Sequence, residues 1–273
     1  DCTYDVGAAL TSNAFTRAHY TFAGWAMTST GAVAYADGAV VSNLTAEAGG
    51  LATLFAVWDP DCYEIAFNAQ GGEGTMERQL CRWDVPAEIV SNAFAKTGYT
   101  FAGWATNESD TAVYADGATV TNLTDVKDGV FDLYACWTNN AYTVAFSANG
   151  GTGTMEVQPF VYDVEQALAS NAFERVGYTF AGWSDAADGE VLYADREVVS
   201  NLTAQADGVV ALHAIWTANP YRISFDANGG TGDPMEALDA TYGAECELTA
   251  NSFEKAGYPF AGWALEPNGE VVV

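Results

Sequence analysis

Apolar and polar residues alternate with period two in several short stretches of the chain. Tyr142, Val144 and Phe146 interleave with Thr143, Ala145 and Ser147, and Tyr63, Ile65, Phe67 and Tyr221, Ile223, Phe225 repeat the arrangement. Such alternation predicts half-buried strands, because successive side chains on a strand point to opposite faces. Asn149-Gly150-Gly151 and Asn228-Gly229-Gly230 follow directly and predict a hairpin turn, since Asn and Gly tolerate positive φ. A return strand is expected over Met155–Tyr162. Beyond it, Asn171–Gly177 reads as a short helical turn stopped by Gly, as does Asn92–Gly98. The GYTFAGW segment ending at Trp183 reads as a third strand. The Ser-Asn-Leu-Thr run around Asn201 suggests another short helical turn capped by Ser or Thr. A fourth strand carries Leu212, Ala214 and Trp216 on one face, as do Leu133, Ala135, Trp137 and Leu54, Ala56, Trp58. The expected fold class is α+β and sheet-dominated, with four strands and one or two short helices per unit.

The same elements return at a fixed interval. Tyr20–Trp25, Tyr99–Trp104 and Tyr178–Trp183 all read YTFAGW, and Tyr258–Trp263 differs only by Pro259, at spacings of 79, 79 and 80 residues. The extra residue lies where GGTGTM at Gly150–Met155 becomes GGTGDPM at Gly229–Met235. A period this regular means an array of equivalent modules. The unit of 79 residues exceeds the ~20–45 residues of a solenoid repeat and can hold its own core, which predicts beads on a string. The boundaries follow: a partial repeat at 1–58 lacking its first strand, complete repeats at 63–137 and 142–216, and a partial repeat at 221–273 lacking its last strand. The links Asp59–Cys62, Thr138–Ala141 and Thr217–Pro220 can each span at most ~14 Å, so neighbouring beads should touch or nearly touch. The partial end copies suggest a piece of a longer array, or units completed by neighbouring molecules through strand exchange.

Composition bears less on the fold than on partners. Nine basic against 36 acidic residues give a net charge of −27 over 273 residues, and the charge is distributed along the repeats. This balance counts against nucleic acid, whose phosphates are held mainly by Lys and Arg, and against anionic membrane surfaces. No apolar run approaches the ~18–20 residues of a membrane helix, so no membrane insertion is expected in this segment. Eight Trp, 14 Tyr and 14 Phe supply enough apolar bulk for real cores and argue against disorder.

The Tyr-x-Val-x-Phe-x-Ala-Asn-Gly-Gly opening, GYTFAGW, YADG, SNLT and the Leu-x-Ala-x-Trp close together resemble the Listeria-Bacteroides repeat, the internalin B-repeat family. The resemblance covers essentially the whole chain. It implies compact β-grasp, ubiquitin-like modules in tandem on secreted or surface-anchored bacterial proteins, between a head domain and the cell. An extracellular or cell-surface location follows from it. So do the expected partners: other repeats of the array, and a host or matrix protein or glycan.

Candidate chemistry is sparse. The recurring residues are Tyr, Phe, Trp, Gly and Ala, His19 and His213 hold different repeat positions, and HExxH, GxSxG and CxxC patterns are missing. No catalytic residue, enzyme activity or cofactor is therefore expected. The GGTG loops lead to Met and a strand rather than to Lys-Ser/Thr and a helix, so they read as hairpins and not as phosphate cradles. Asp185, Asp188 and Glu190 cluster near a Gly, and Asp37, Asp116 and Asp195 share a column. Calcium takes ~6–8 oxygens, however, and no full loop is present, which favours a solvated acidic loop.

Trp25, Trp104, Trp183 and Trp263 close the third strand, and Trp58, Trp137 and Trp216 end the fourth. Packing is the default for such rings, with stacking on a sugar or anchoring of a protein partner as the alternative. Arg17, Lys96, Arg175 and Lys255 share the column before GYTF, where pairing with a carboxylate is expected. Cys62 and Cys81 flank the first hairpin and could bridge its strands, although Ala141 and Phe160 in the next copy show that the fold needs no bridge there. Cys136 reads as a buried thiol, and Cys2 and Cys246 lack evident partners. The sequons at Asn43, Asn122, Asn201 and Asn107 read as a turn and helix start. The leading expectation is a non-catalytic stalk or spacer, with a multivalent adhesin or a self-assembling filament segment as alternatives.

Overall fold

A computed structural model describes residues 3–267 and 269–272 and divides into two compact units, Asp1–Asn139 and Asn140–Val273. Cys2 lies outside the described residues.

In the first unit, four strands form a sheet in the order Gln79–Arg82, Cys62–Asn68, Val130–Asn139, Tyr99–Ala105. The central pair is parallel, with Ile65 opposite Phe131, and each central strand has an antiparallel outer neighbour. The second unit repeats this with Gln158–Val161, Ala141–Ser147, Gly208–Ala218 and Tyr178–Ser184, and Val144 stands opposite Val210. Smaller antiparallel pairs complete the units. Tyr20–Ala26 pairs with Phe55–Pro60 in the first, and Pro220–Ile223 pairs with Leu238–Thr241 in the second.

The α+β, β-grasp-like expectation does not hold. No described residue is helical, and the regular structure consists of eighteen strands. The two segments expected as helical turns have other uses for their backbone groups. In Asn92-Ala93-Phe94 the Asn92 amide accepts from the Phe94 N–H at 3.0 Å and donates to the Phe94 carbonyl at 2.9 Å. Ala95 then exchanges two backbone hydrogen bonds with Glu73 in the hairpin loop, at 2.7 and 3.0 Å. Glu174 and Thr152 do the same in the second unit. A side chain that closes a local ring with its own backbone competes directly with a helix. In place of helices, two-residue strands form separate small antiparallel sheets: Ala87–Glu88 with Thr119–Val120, and Gln166–Ala167 with Val198–Val199.

The cores are copies of each other. One contains Tyr63, Ile65, Cys81, Ile89, Phe94, Trp104, Val120, Leu133 and Ala135. The other contains Tyr142, Val144, Phe160, Leu168, Phe173, Trp183, Val199, Leu212 and Ala214, each 79 residues further on. The Gly before each buried Trp is required by its surroundings. Gly103 has φ +132° where the register shifts, and a β-carbon there would run into the Tyr114 carbonyl. That contact exists because Trp104 and Tyr114 exchange backbone hydrogen bonds of 2.8 and 3.0 Å, which fastens the YADG loop to the third strand.

Candidate functional site

The tryptophans are drawn into the repeats. Trp104 and Trp183 are fully buried, and Trp25 and Trp263 are half-buried against phenylalanines. Trp137 and Trp216 donate their indole N–H groups to the carbonyls of Ala69 (2.9 Å) and Ala148 (3.0 Å), closing over the hairpin glycines. None of the eight is an exposed side chain. Asp185, Asp188 and Glu190 are all exposed, and among the described residues no group of three or more His, Cys, Asp or Glu is placed to hold a metal ion. Asp37, Asp116 and Asp195 each accept the backbone N–H of an Asn, from Asn13, Asn92 and Asn171, at 2.8 Å.

Cys62 and Cys81 are both free thiols. Cys62 stands opposite Arg82 and Cys81 opposite Tyr63, so the register turns the two sulfurs to opposite faces of the sheet. Burial pushes the Cys81 thiol above its usual pKa. The basic column also departs from expectation. Arg17, Lys96, Arg175 and Lys255 sit over the rings of Tyr20, Tyr99, Tyr178 and Tyr258 at 3.6, 4.3, 4.0 and 5.6 Å; among the described residues none of the four forms a direct ion pair, although the Arg17 charge acts on Asp84. Lys96 and Lys255 also reach the hairpin carbonyls of Gln70 (3.5 Å) and Asn228 (3.0 Å).

Two polar devices emerge that the sequence reading did not separate. The first is a reciprocal clamp that recurs in three of the repeats. Asn122 accepts the Asp84 N–H at 2.7 Å and donates to the Asp84 carboxylate at 2.8 Å. Asn43 with Asp5 and Asn201 with Asp163 form the same clamp. Both partners adopt left-handed φ between 53° and 59°, a conformation that Asn and Asp tolerate best among residues with a side chain.

The second device joins consecutive repeats. Strand Phe55–Pro60 ends and strand Cys62–Asn68 begins around a single residue, Asp61. Its N–H donates to the His19 carbonyl, and its own carbonyl accepts from the Trp83 N–H, both at 2.9 Å. Its carboxylate accepts the Thr21 hydroxyl at 2.7 Å and pairs with Lys127 at 3.1 Å. The Tyr20 hydroxyl donates to Asp84 at 2.8 Å, using the oxygen left free by the Asn122 clamp. The His19 ring stacks on Trp83, with centroids 3.8 Å apart. Asn122 and Tyr20, both donating to Asp84, hold its carboxyl below the usual range, and the Thr21 hydroxyl does the same for Asp61.

The second unit rebuilds this junction around Asn219. Its N–H donates to the Gly177 carbonyl at 2.9 Å, its carbonyl accepts from Tyr242 at 2.9 Å, and its amide oxygen accepts the Thr179 hydroxyl at 2.6 Å. Links expected to be four residues long are thus one residue in each unit, tied to both sides.

The sequence profile of the Listeria-Bacteroides repeat domain matches residues 2–48, 63–135, 142–206 and 221–273. The chain belongs to the Listeria-Bacteroides repeat family. Two relatives from Evansella cellulosilytica are similar to it. One, named as a candidate membrane protein, is 30% identical over 219 residues, or 77% of this chain and 29% of its own length. The other, named as a candidate Gly-rich membrane protein, is 28% identical over 257 residues, or 90% of this chain and 27% of its own. The chain therefore spans less than a third of either relative.

These names overturn the exclusion of a membrane drawn from charge and apolar run length. Both criteria test for a lipid-crossing helix or an anionic surface contact, and neither bears on how a longer repeat protein is attached. No helix among the described residues is long and apolar enough to cross a membrane. In these Listeria-Bacteroides repeats, the clamp could have been suspected from Asp and Asn recurring together 38 residues apart. The junction had a fainter signal, the recurrence of Asp or Asn at the one link position, as Asp61, Asn140 and Asn219.

Proposed function

We propose that this chain is a non-catalytic spacer, a stalk segment of a bacterial membrane-associated protein at the cell surface. One observation carries the reading: the residues that recur are used up in building each repeat or joining it to the next. Trp104 and Trp183 fill cores, Asp84 and Asn122 clamp a loop, and Asp61 and Asn219 fasten a link. The names of the two relatives support placement on a membrane-associated protein. The distributed negative charge suits repeats that must stay soluble at high local density.

The test is to delete one period, residues 142–220. A spacer loses a fixed step of hydrodynamic size, and its remaining repeats keep their thermal unfolding profile. Unchanged hydrodynamic size, or unfolding of the remaining repeats, would overturn the reading.

A further inference from the structure

The two junctions share a backbone pattern but differ in the side chains that fill it. In the first unit His19, with φ +62°, lays its ring on Trp83 at 3.8 Å and an interplanar angle of 23°. In the second unit the equivalent of His19 is Gly177, and the equivalent of Trp83 is Tyr242. There the Tyr242 ring lies directly over Gly177, so that a β-carbon at 177 would overlap it. The Tyr242 ring also meets Tyr178 edge-on at 5.7 Å. In the sequence the other members of these columns are Gly98 and Gly257, and Tyr4 and Tyr162, so His and Trp each occur once and Gly and Tyr three times each.

The polar fittings change with them. Where His19 meets Trp83, Asp84 takes the Tyr20 hydroxyl and Lys127 bridges Thr21 and Asp61. Where Gly177 meets Tyr242, Gly243 replaces the Asp and Asn219 replaces the charged link residue.

We propose that the junctions are pair-specific docking surfaces, with positions 19/83 and 177/242 as the residues that determine which repeat can follow which. The partner that the His19–Tyr20–Thr21 surface fits is a repeat presenting Trp, Asp and Lys. The partner that the Gly177 surface fits is a repeat presenting Tyr and a neutral link residue. Two shapes fill one backbone frame: a flat ring laid on a flat ring, or a ring laid on bare backbone. Mixed pairs fail in opposite ways. Gly against Trp forfeits the stacking surface, and His against Tyr puts a side chain where the Tyr ring already lies. The rule sets the repeat that presents Trp83 apart as the one that follows His19, while repeats presenting Tyr share one type of junction; this deepens the spacer reading and rests on it.

A double-mutant cycle in the full chain tests this, using His19→Gly, Trp83→Tyr and the two combined. The readout is amide hydrogen exchange at Asp61, whose N–H crosses the first junction to His19, corrected for intrinsic rates. A lost aromatic stack predicts that each single change speeds exchange by about 2–10-fold. The double variant, which installs the pair used in the second unit, should return to within about twofold of the parent. The converse pair reads the Asn219 amide. Gly177→His should speed its exchange, and adding Tyr242→Trp should slow it again. Multiplicative effects in the double variants, or single changes without effect, would overturn the proposal. The deletion test of the spacer reading measures size and unfolding and leaves His19 and Trp83 untouched, so either can fail alone.

Discussion

Replacing Trp183 by Ala separates a structural tryptophan from a binding one. The ring is fully buried and has Phe146, Phe180 and Phe173 around it at centroid distances of 4.8, 4.9 and 6.1 Å. Truncating a buried aromatic to Ala costs about 3–5 kcal/mol, from lost transfer energy and the cavity left behind. One feature of the site lowers that figure. Among the described residues no acceptor meets the Trp183 indole N–H, and removing a desolvated donor returns roughly 1–3 kcal/mol. The expected loss is then about 2 kcal/mol, or roughly 30-fold in local opening.

A global melt would not place this loss, since tandem repeats need not unfold together. Native-state hydrogen exchange at the Val144 and Leu212 amides, in the core around Trp183, would place it. Trp183→Phe keeps a ring and drops the orphan donor, so it should cost under about 2 kcal/mol. If Trp183→Ala changed exchange by less than about threefold, the behaviour expected of a surface position, the core assignment would be refuted.

Other outcomes follow from the same geometry. Asp61 and Asp84 have lowered folded-state pKa values, so their contribution is complete above the unfolded value of about 4 and is lost as pH falls through the lowered values. A carboxyl NMR titration should find both midpoints below about 4, and ordinary midpoints would remove the junction bonds from the account. The Tyr20 hydroxyl, donating to Asp84, is held above its usual pKa, so its bond persists through neutral pH and is lost only as alkali carries pH past that raised value. Toward a thiol reagent, exposed Cys246 should react first and buried Cys81 last, and an unreactive Cys62–Cys81 pair that reductant frees would contradict the register. Gly103→Ala should cost more than about 1 kcal/mol, because the φ is left-handed and the Tyr114 carbonyl occupies the β-carbon position. A neutral result in urea unfolding would show that the YADG loop is not fastened there.

Much of the repeat could be read from the sequence, because alternation and periodicity report burial directly. Tyr142, Val144 and Phe146 point toward the core as their alternation demands, and the 79-residue period carries one core onto the other. The helical turns were misread for a definite reason. Asn92 before Phe94 and Asn122 before Leu123 carry the short-range hydrogen-bonding signal of a helix cap, and that signal is shared by a local turn. What settles the matter lies far away in sequence. Asn122 closes on Asp84 across 38 residues, and Ala95 closes on Glu73 across the hairpin. The junction was hidden for a similar reason. A link looks polar and short in sequence, and only the register of the strands on either side shows that Asp61 is bonded in both directions.

Backbone ¹⁵N relaxation at Asp61 and Asn219 is the most direct measurement of the central claim, that a one-residue link clamped from both sides joins consecutive repeats within each unit. Order parameters near ~0.85, matching the flanking strands, are the predicted result, and values below ~0.6 at either residue would show a flexible linker and contradict it.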